Sequence, residues 1–322
     1  MSFIKNIKIG ETIIQFSHLD EIDDQLYWAT NISNSEFKVL ITDKEINPIS
    51  FRNYKVSPTI SATGKIVSIL KINANEILIG GHTYENSISN QFITRVYTNV
   101  NRVAWFRVYK NVLEISPRNN GVHKILKIID NKFLIVNKNF LFIIDGNGTV
   151  LVKTRERRVA HLSDVFIHAS RIVGIYFRYA RTEMLRILVL DQNLDRIDHV
   201  YYYPSFPLDT RAIRESWKTI LNENTLVVVG RYDTKNYILK FDLTQPFPDT
   251  VGGIASVFKA FQMLGNANFF YITSNRAISS TESDSILHKY DYNFNQQWSK
   301  KNEEITLSRT EIRLFDNEFF IR

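Results

Sequence analysis

The residue types that carry most enzymatic chemistry are present in this chain, but their spacings suit little of it. Seven histidines stand singly at His18, His82, His123, His161, His168, His199 and His288. No two are four residues apart, the spacing that sets a pair of imidazoles on one helical face around a metal. Cysteine is absent, which removes thiolate nucleophiles, Cys-ligated zinc and disulfides. Asp145-Gly146-Asn147-Gly148-Thr149 opens like a calcium loop, and Glu156 falls at its twelfth position. Val150, however, stands sixth, where the sharp turn of such a loop needs glycine. A glycine-rich hairpin turn accounts for the same residues.

Carboxylates cluster at Asp20, Glu21, Asp23 and Asp24, at Asp195 and Asp198, and at Glu303 and Glu304. Glycoside hydrolysis needs two carboxyl groups about 5 to 9.5 Å apart across a pocket, whereas neighbours in one turn diverge into solvent. No nucleophile elbow, P-loop or dinucleotide fingerprint occurs. The expectation is a protein without enzymatic activity, metal or cofactor.

Two groups of residues suit binding instead. Between residues 153 and 186 the cations are Lys153, Arg155, Arg157, Arg158, Arg171, Arg178, Arg181 and Arg186, against Glu156, Asp164 and Glu183. Tyr176, Phe177 and Tyr179 interleave with them. Arginine grips anions with two parallel hydrogen bonds and stacks on rings. Lys153, Arg155, Arg157, Arg158, Arg178 and Arg181 are therefore a candidate patch for an anion, an acidic glycan or an acidic protein face, although a solvated sheet edge would use the same charges. Nucleic acid is not expected: the net charge is only +7, and no nucleic-acid-binding motif is present. The second group, Tyr201, Tyr202, Tyr203 and Phe206, lies beside Pro204 and Pro207. Exposed aromatics of this kind dominate interface hot spots, so these four are the candidate partner-binding residues.

The elements that must carry these groups are written as a repeat. An apolar residue, an Asn/Asp/Gly turn and an apolar run recur at residues 21–30, 72–81, 128–137, 167–177, 221–230, 264–273 and 314–322. The first apolar residues after the turns are Leu26, Ile77, Phe133, Ile172, Leu226, Phe269 and Phe319, at intervals of 51, 56, 39, 54, 43 and 50 residues. Periods of this length belong to propellers.

Between the phrases lies a second apolar run that usually ends in Asp, at 37–43, 92–98, 140–145, 185–191, 237–242 and 285–291. After several of these turns a third run follows. Seven residues past the turn position stand Trp105, Val152 and Trp298, a recurring slot for a large apolar side chain. Each unit thus offers four strands in two hairpins, one blade of a β-propeller.

The predicted fold is all-β: a seven-bladed propeller with six blades as the alternative, in a single domain covering residues 1–322. Residues 2–9 are expected to complete the blade begun by 314–322, closing the ring, with the first complete unit starting near Thr12. Residues 209–221 are the best helical candidate, expected as a short helix followed by strand. Long loops are expected at 83–90, 201–214, 245–253 and 274–285.

Composition agrees with this picture. A 44% hydrophobic and 13% aromatic content supplies a core, and no apolar run approaches the roughly 20 residues that span a bilayer. The first ten residues lack the core of a signal peptide, so a cytoplasmic or virion-associated location is expected. Abundant Ile, Asn, Lys, Phe and Tyr point to an AT-rich genome, and with it to a virion or phage-tail subunit or a cytoplasmic assembly.

Residues 285–300 (SILHKYDYNFNQQWSK) and 140–153 (FLFIIDGNGTVLVK) resemble blades of the WD40/quinoprotein-like propeller superfamily. The paired Gly-His…Trp-Asp signature of WD40 repeats is absent, Gly80-Gly81 is a single kelch-like match, and the sialidase Asp-box is missing. The resemblance implies a platform that organises protein partners in a larger assembly. A carbohydrate-binding or carbohydrate-active propeller using its central funnel is the alternative.

Overall fold

In the computed structural model, the described residues are 5–9, 12–33, 35–56, 64–85, 88–109, 122–129, 131–137, 140–153, 161–178, 184–202, 218–232, 235–244, 249–256, 259–265, 267–277, 283–302, 312–315 and 318–321. The chain forms two compact units. One comprises Met1–Arg157 with Gln192–Leu194, the other Arg158–Asp191 with Asp195–Arg322. All regular structure among the described residues is strand.

The first unit begins with a hairpin of β1 (Lys5–Ile9) and β2 (Thr12–Phe16). Three four-stranded antiparallel meanders follow. Sheet 1 is β3 (His18–Ile22), β4 (Gln25–Ala29), β5 (Glu36–Thr42) and β6 (Pro48–Lys55). Sheet 2 is β7 (Gly64–Asn73), β8 (Glu76–Glu85), β9 (Ile88–Tyr97) and β10 (Arg102–Tyr109). Sheet 3 is β11 (Val122–Ile129), β12 (Lys132–Asn137), β13 (Leu141–Asp145) and β14 (Val150–Lys153).

The second unit repeats the plan. Sheet 4 is β15 (His161–His168), β16 (Arg171–Arg178), β17 (Met184–Leu190) and β18 (Arg196–Tyr202). Sheet 5 is β19 (Lys218–Asn222), β20 (Thr225–Tyr232), β21 (Lys235–Asp242) and β22 (Asp249–Ser256). Sheet 6 is β23 (Lys259–Gly265), β24 (Phe269–Ala277), β25 (Ser283–Asp291) and β26 (Gln296–Asn302). A last hairpin pairs β27 (Ile312–Phe315) with β28 (Glu318–Ile321).

All seven reference residues fall at the start of a second strand, from Leu26 in β4 to Phe319 in β28. The reason lies in burial. Second and third strands have sheet on both sides and cover on both faces, so they read as continuous apolar runs; Phe133–Val136 and Leu141–Ile144 are all buried. Fourth strands are half solvated, and β14 alternates along its length. Opposite faces of one sheet serve different cores. Ile77 and Ile79 pack with Phe37, Val39 and Tyr54 of sheet 1, while Leu78 and Ile93 pack with Ile125, Phe133 and Phe142 of sheet 3. In the second unit Leu226 and Val228 meet Val173 and Ile187, while Val227 and Val229 meet Phe270 and Ile272.

The Asp that closes most third strands is explained by its turn. Asp43, Asp145, Asp191 and Asp291 each accept, through Oδ1, the backbone N–H of the residue four positions on, at 2.7 to 2.9 Å. The residue between, three past the Asp, is left-handed in every case: Ile46 (φ 70°), Gly148 (77°), Leu194 (62°) and Phe294 (68°). Only Gly148 adopts that backbone without a Cβ penalty. A β-branched residue is strained there by about 1–2 kcal/mol. Ile46→Gly is expected to raise unfolding stability by about 1 kcal/mol; a loss of stability in urea titration would contradict the assignment. Directly after these turns the register shifts in the pairing of every fourth strand, and such bulges add local twist to the sheet.

Several expectations need correction. Thr12–Phe16 does not open the first four-stranded sheet but pairs with β1. Residues 83–90 are not a long loop: β8 continues to Glu85 and β9 resumes at Ile88, because Thr83 and Asn90 still pair across the hairpin. The stretch 245–253 turns to strand at Asp249, and 274–285 is strand up to Ala277 and again from Ser283. The helix expected from residue 209 lies outside the described residues as far as residue 217, and Lys218–Asn222 is strand. Among the described residues neither terminal hairpin is paired to a third strand.

Candidate functional site

The polar side chains of the first unit are largely spent on joining sheets. Alternate residues of β6 point donors at the β9–β10 turn of sheet 2. Ser50 Oγ donates to the carbonyl of Thr98 (3.1 Å), Arg52 to those of Thr98 and Asn99 (3.3 and 3.1 Å), and the Tyr54 hydroxyl to that of Tyr97 (2.7 Å). One sheet later the same device recurs. Trp105 Nε1 and Arg95 Nη1 donate to Gly146 O (2.9 and 3.0 Å), Arg107 Nε to Asn147 O (2.8 Å) and the Tyr109 hydroxyl to Gly148 O (2.8 Å). Arg95 is further held by Glu76 at 2.7 Å, and that guanidinium keeps the Glu76 carboxyl below its usual range.

This clamp accounts for two sequence features. The large-residue slot at Trp105 exists because an indole there both fills the gap between sheets and supplies a donor. The calcium-like turn 145–149 is a capped hairpin turn. Its Asp145 carboxylate receives Asn147 and Thr149 N–H groups, and three of its carbonyls accept donors from sheet 2. Burial pushes the Tyr54 and Tyr109 hydroxyls well above the ordinary phenol value.

Carboxylates elsewhere act in the same structural way. Asp20 Oδ2 accepts the Ile69 N–H of the next sheet and meets His18 Nε2, both at 2.7 Å. Asp164 accepts the Thr219 hydroxyl at 2.8 Å. The His18-x-Asp20 pair was legible in sequence, since residues two apart share a strand face. Among the described residues no group of three or more His, Asp or Glu is placed to hold a metal.

The most open chemistry lies on one face of sheet 6. Tyr271, Lys289 and Trp298 stand opposite one another across β24, β25 and β26. Lys289 Nζ sits 3.7 Å from the Phe269 ring centroid, and Lys300 Nζ lies 5.2 Å from that of Trp298. Tyr271 and Leu287 are buried beneath, while Phe269 and Trp298 are only partly covered. A face of two ammonium groups on an aromatic floor suits carbonyl or carboxylate oxygens. On the other face, His288 is 6% exposed and bonds Ser299 Oγ at 2.8 Å; burial pushes its pKa down to about 4.

The residues expected to bind partners are only partly placed. Tyr201 and Tyr202 are not loop residues: they end β18, paired with Arg186 and Leu185. Tyr203 and Phe206 lie outside the described residues. In the cationic set, Lys153 ends β14 and is exposed, and Arg178 ends β16. Arg155, Arg157, Arg158 and Arg181 lie outside the described residues. The cation–aromatic face of sheet 6 was missed, although the slot position of Trp298 signalled one member of it.

No family model matches this sequence, and no curated protein is detectably similar to it. Solved structures do resemble it. Saccharomyces cerevisiae Sqt1 matches with a TM-score of 0.53 at 7% identity, over 91% of this chain and 74% of that one. The Dos1 propeller matches with a TM-score of 0.53 at 12% identity, over 96% and 76%. The Neurospora crassa Pan2 WD40 domain gives 0.46 at 11% identity over 73% of this chain, which spans 65% of that domain. The chain likewise spans 62% of a eukaryotic initiation factor (TM-score 0.49, 10% identity, 85% of this chain covered). At these identities the first two likenesses show the fold alone, a β-propeller. No helix among the described residues is long and apolar enough to cross a membrane.

Proposed function

We propose that this propeller is a non-enzymatic interaction scaffold, a subunit of a larger protein assembly. The observation that carries this is how the described carboxylates and donors are used. They cap turns and join sheets, and the chemistry left accessible is aromatic and cationic, on the sheet 6 face. A rigid scaffold with contact residues at strand ends and loops is how propellers serve partners. Tyr201, Tyr202, Tyr203 and Phe206 remain the proposed contact residues, and Lys153, Arg155, Arg157, Arg158, Arg178 and Arg181 the proposed surface for an acidic partner. A virion or phage-tail assembly fits the composition.

The scaffold is proposed as one domain of seven blades. β27–β28 carry the apolar–turn–apolar phrase of the first two strands of a sheet, and β2 leads through Ser17 directly into β3, as a fourth strand leads to the next sheet. The two hairpins together make one blade and close the ring, leaving no open sheet edge on the second strand. The chain has no cysteine of its own, so Asn6→Cys with Phe320→Cys, and Lys8→Cys with Glu318→Cys, report closure directly. A disulfide within one chain on oxidation is the expected result, and only reduced monomer in both variants would refute closure.

The scaffold role is tested by affinity capture of tagged protein from its native source. Stoichiometric protein partners are expected, reduced at least tenfold by Tyr203→Ala with Phe206→Ala while the melting temperature stays unchanged. A partner-free monomer that instead retains glycans on an array would move the function to the central funnel.

A further inference from the structure

Two asparagines in this chain are followed by glycine, Asn120 and Asn147. The first lies outside the described residues. The second stands exposed in the turn between β13 and β14. Asparagine is a thermolabile residue, and a glycine after it brings no side chain to hinder attack by the following peptide nitrogen. The turn itself demands that glycine. Gly148 is left-handed (φ 77°), and a Cβ there would stand 2.8 Å from Arg107 Cδ and 2.9 Å from the Trp105 ring. The corresponding turns of sheets 4 and 6 carry Asn193-Leu194 and Asn293-Phe294, in which a bulky side chain follows the asparagine.

The peptide between Asn147 and Gly148 is held at both of its polar atoms. The Gly148 N–H donates to the Asp145 carbonyl at 3.0 Å, and the Asn147 carbonyl accepts Arg107 Nε at 2.8 Å. Asn147 donates its own N–H to Asp145 Oδ1 at 2.9 Å. On either side, Trp105 and Tyr109 hold the carbonyls of Gly146 and Gly148. Attack on the Asn147 side chain needs the Gly148 nitrogen to lose its proton and to turn, and these bonds oppose both.

We propose that Asn147 is a deamidation site whose rate is gated by the grip of sheet 2 on this turn. When the turn opens locally, the Gly148 nitrogen gives its proton to hydroxide and bonds to Asn147 Cγ. The bond from Cγ to the side-chain nitrogen breaks, and ammonia leaves with a proton taken from water, which restores the hydroxide. The succinimide so formed adds water at one of its two carbonyls, giving aspartate or isoaspartate. Isoaspartate routes the backbone through Cβ and lengthens it by one methylene. The carbonyls of Gly146, residue 147 and Gly148 can then no longer all meet Trp105, Arg107 and Tyr109. Modification therefore releases the junction of sheets 2 and 3 irreversibly.

Peptide mapping by mass spectrometry, with aspartate and isoaspartate separated by chromatography, reads the reaction in the whole chain. Incubation is at mildly alkaline pH, both native and in urea. The unfolded chain is expected to react at residue 147 at least about tenfold faster than the native one. Arg107→Met removes one gating bond at an exposed position. It should speed the native reaction about tenfold, because hydrogen bonds involving a charge are among the stronger ones, and leave the rate in urea unchanged. Trp105→Phe, which keeps a ring and removes the neighbouring donor, should give a smaller rise. Arg52→Met makes the same change in the grip of sheet 1 on the β9–β10 turn and should leave Asn147 at its native rate. Equal native and unfolded rates, or no reaction at residue 147 in urea, overturns the proposal. So does an unchanged native rate in both Arg107→Met and Trp105→Phe. Equal acceleration by Arg52→Met and Arg107→Met would make global stability the gate, and would overturn the assignment to this turn.

Discussion

Between pH 6.5 and pH 4 this protein is expected to lose about 2–3 kcal/mol of unfolding stability through His288 alone. The ring is almost fully buried in sheet 6, is bonded to Ser299, and has its pKa lowered to about 4. An unfolded chain returns it to about 6.5. Between those values the unfolded state binds the proton and the folded state does not, so stability falls as pH falls. Each unit of difference is worth about 1.4 kcal/mol, which sets the size. His82, lowered by burial and then by Lys65 and His123, adds a smaller slope of the same sign.

The turn carboxylates act in a lower window. Asp43, Asp242 and Asp291 are lowered by hydrogen bonds from Asn47, Thr244 and Asn295. Their contribution is complete above the ordinary carboxylate pKa and disappears only as pH drops through the depressed values. Urea titrations at pH 7 and pH 4.5 on the native protein and on His288→Gln separate the two windows. The variant should lose much less stability than the native chain over that interval; equal losses would place the acid sensitivity elsewhere.

Gly81→Ala is expected to cost about 3 kcal/mol or more, an unusually large effect for one methyl group. A Cβ there would strike the Lys65 carbonyl oxygen of the paired strand and would stand 2.7 Å from the Phe92 ring. The ring belongs to the core shared by sheets 1 and 2, and the oxygen is backbone, so neither can yield without moving β7. Overpacking that rotamers can absorb costs about 1–3 kcal/mol; backbone contact puts this site at or above that range. Gly80→Ala meets only the Ile125 and Val122 side chains, the nearest at 2.7 Å, and should cost less. Comparable midpoints for both variants in chemical denaturation would contradict this ordering. The Gly80-Gly81 pair is thus a packing requirement rather than a family signature.

What the sequence determined by itself is periodic. Apolar runs set by two-sided burial, and turns set by Asp and Asn bonding to nearby backbone, are local properties, so the second and third strands of each sheet could be placed directly. Leu26, Ile77 and Phe133 mark their strands for that reason. Fourth strands were partly legible, since half-solvated strands such as β14 alternate weakly. Hairpin length was not: Thr83 and Asn90 are polar and read as loop, yet they are buried and paired. The fate of polar side chains was decided only by tertiary structure. Asp20, Trp105, Arg107 and Tyr109 have partners about 40 to 50 residues away, and nothing in local patterning says which backbone group a side chain will face across a sheet interface. Trp105 therefore read as an apolar slot, and became a donor once the Gly146 carbonyl was placed beneath its indole nitrogen.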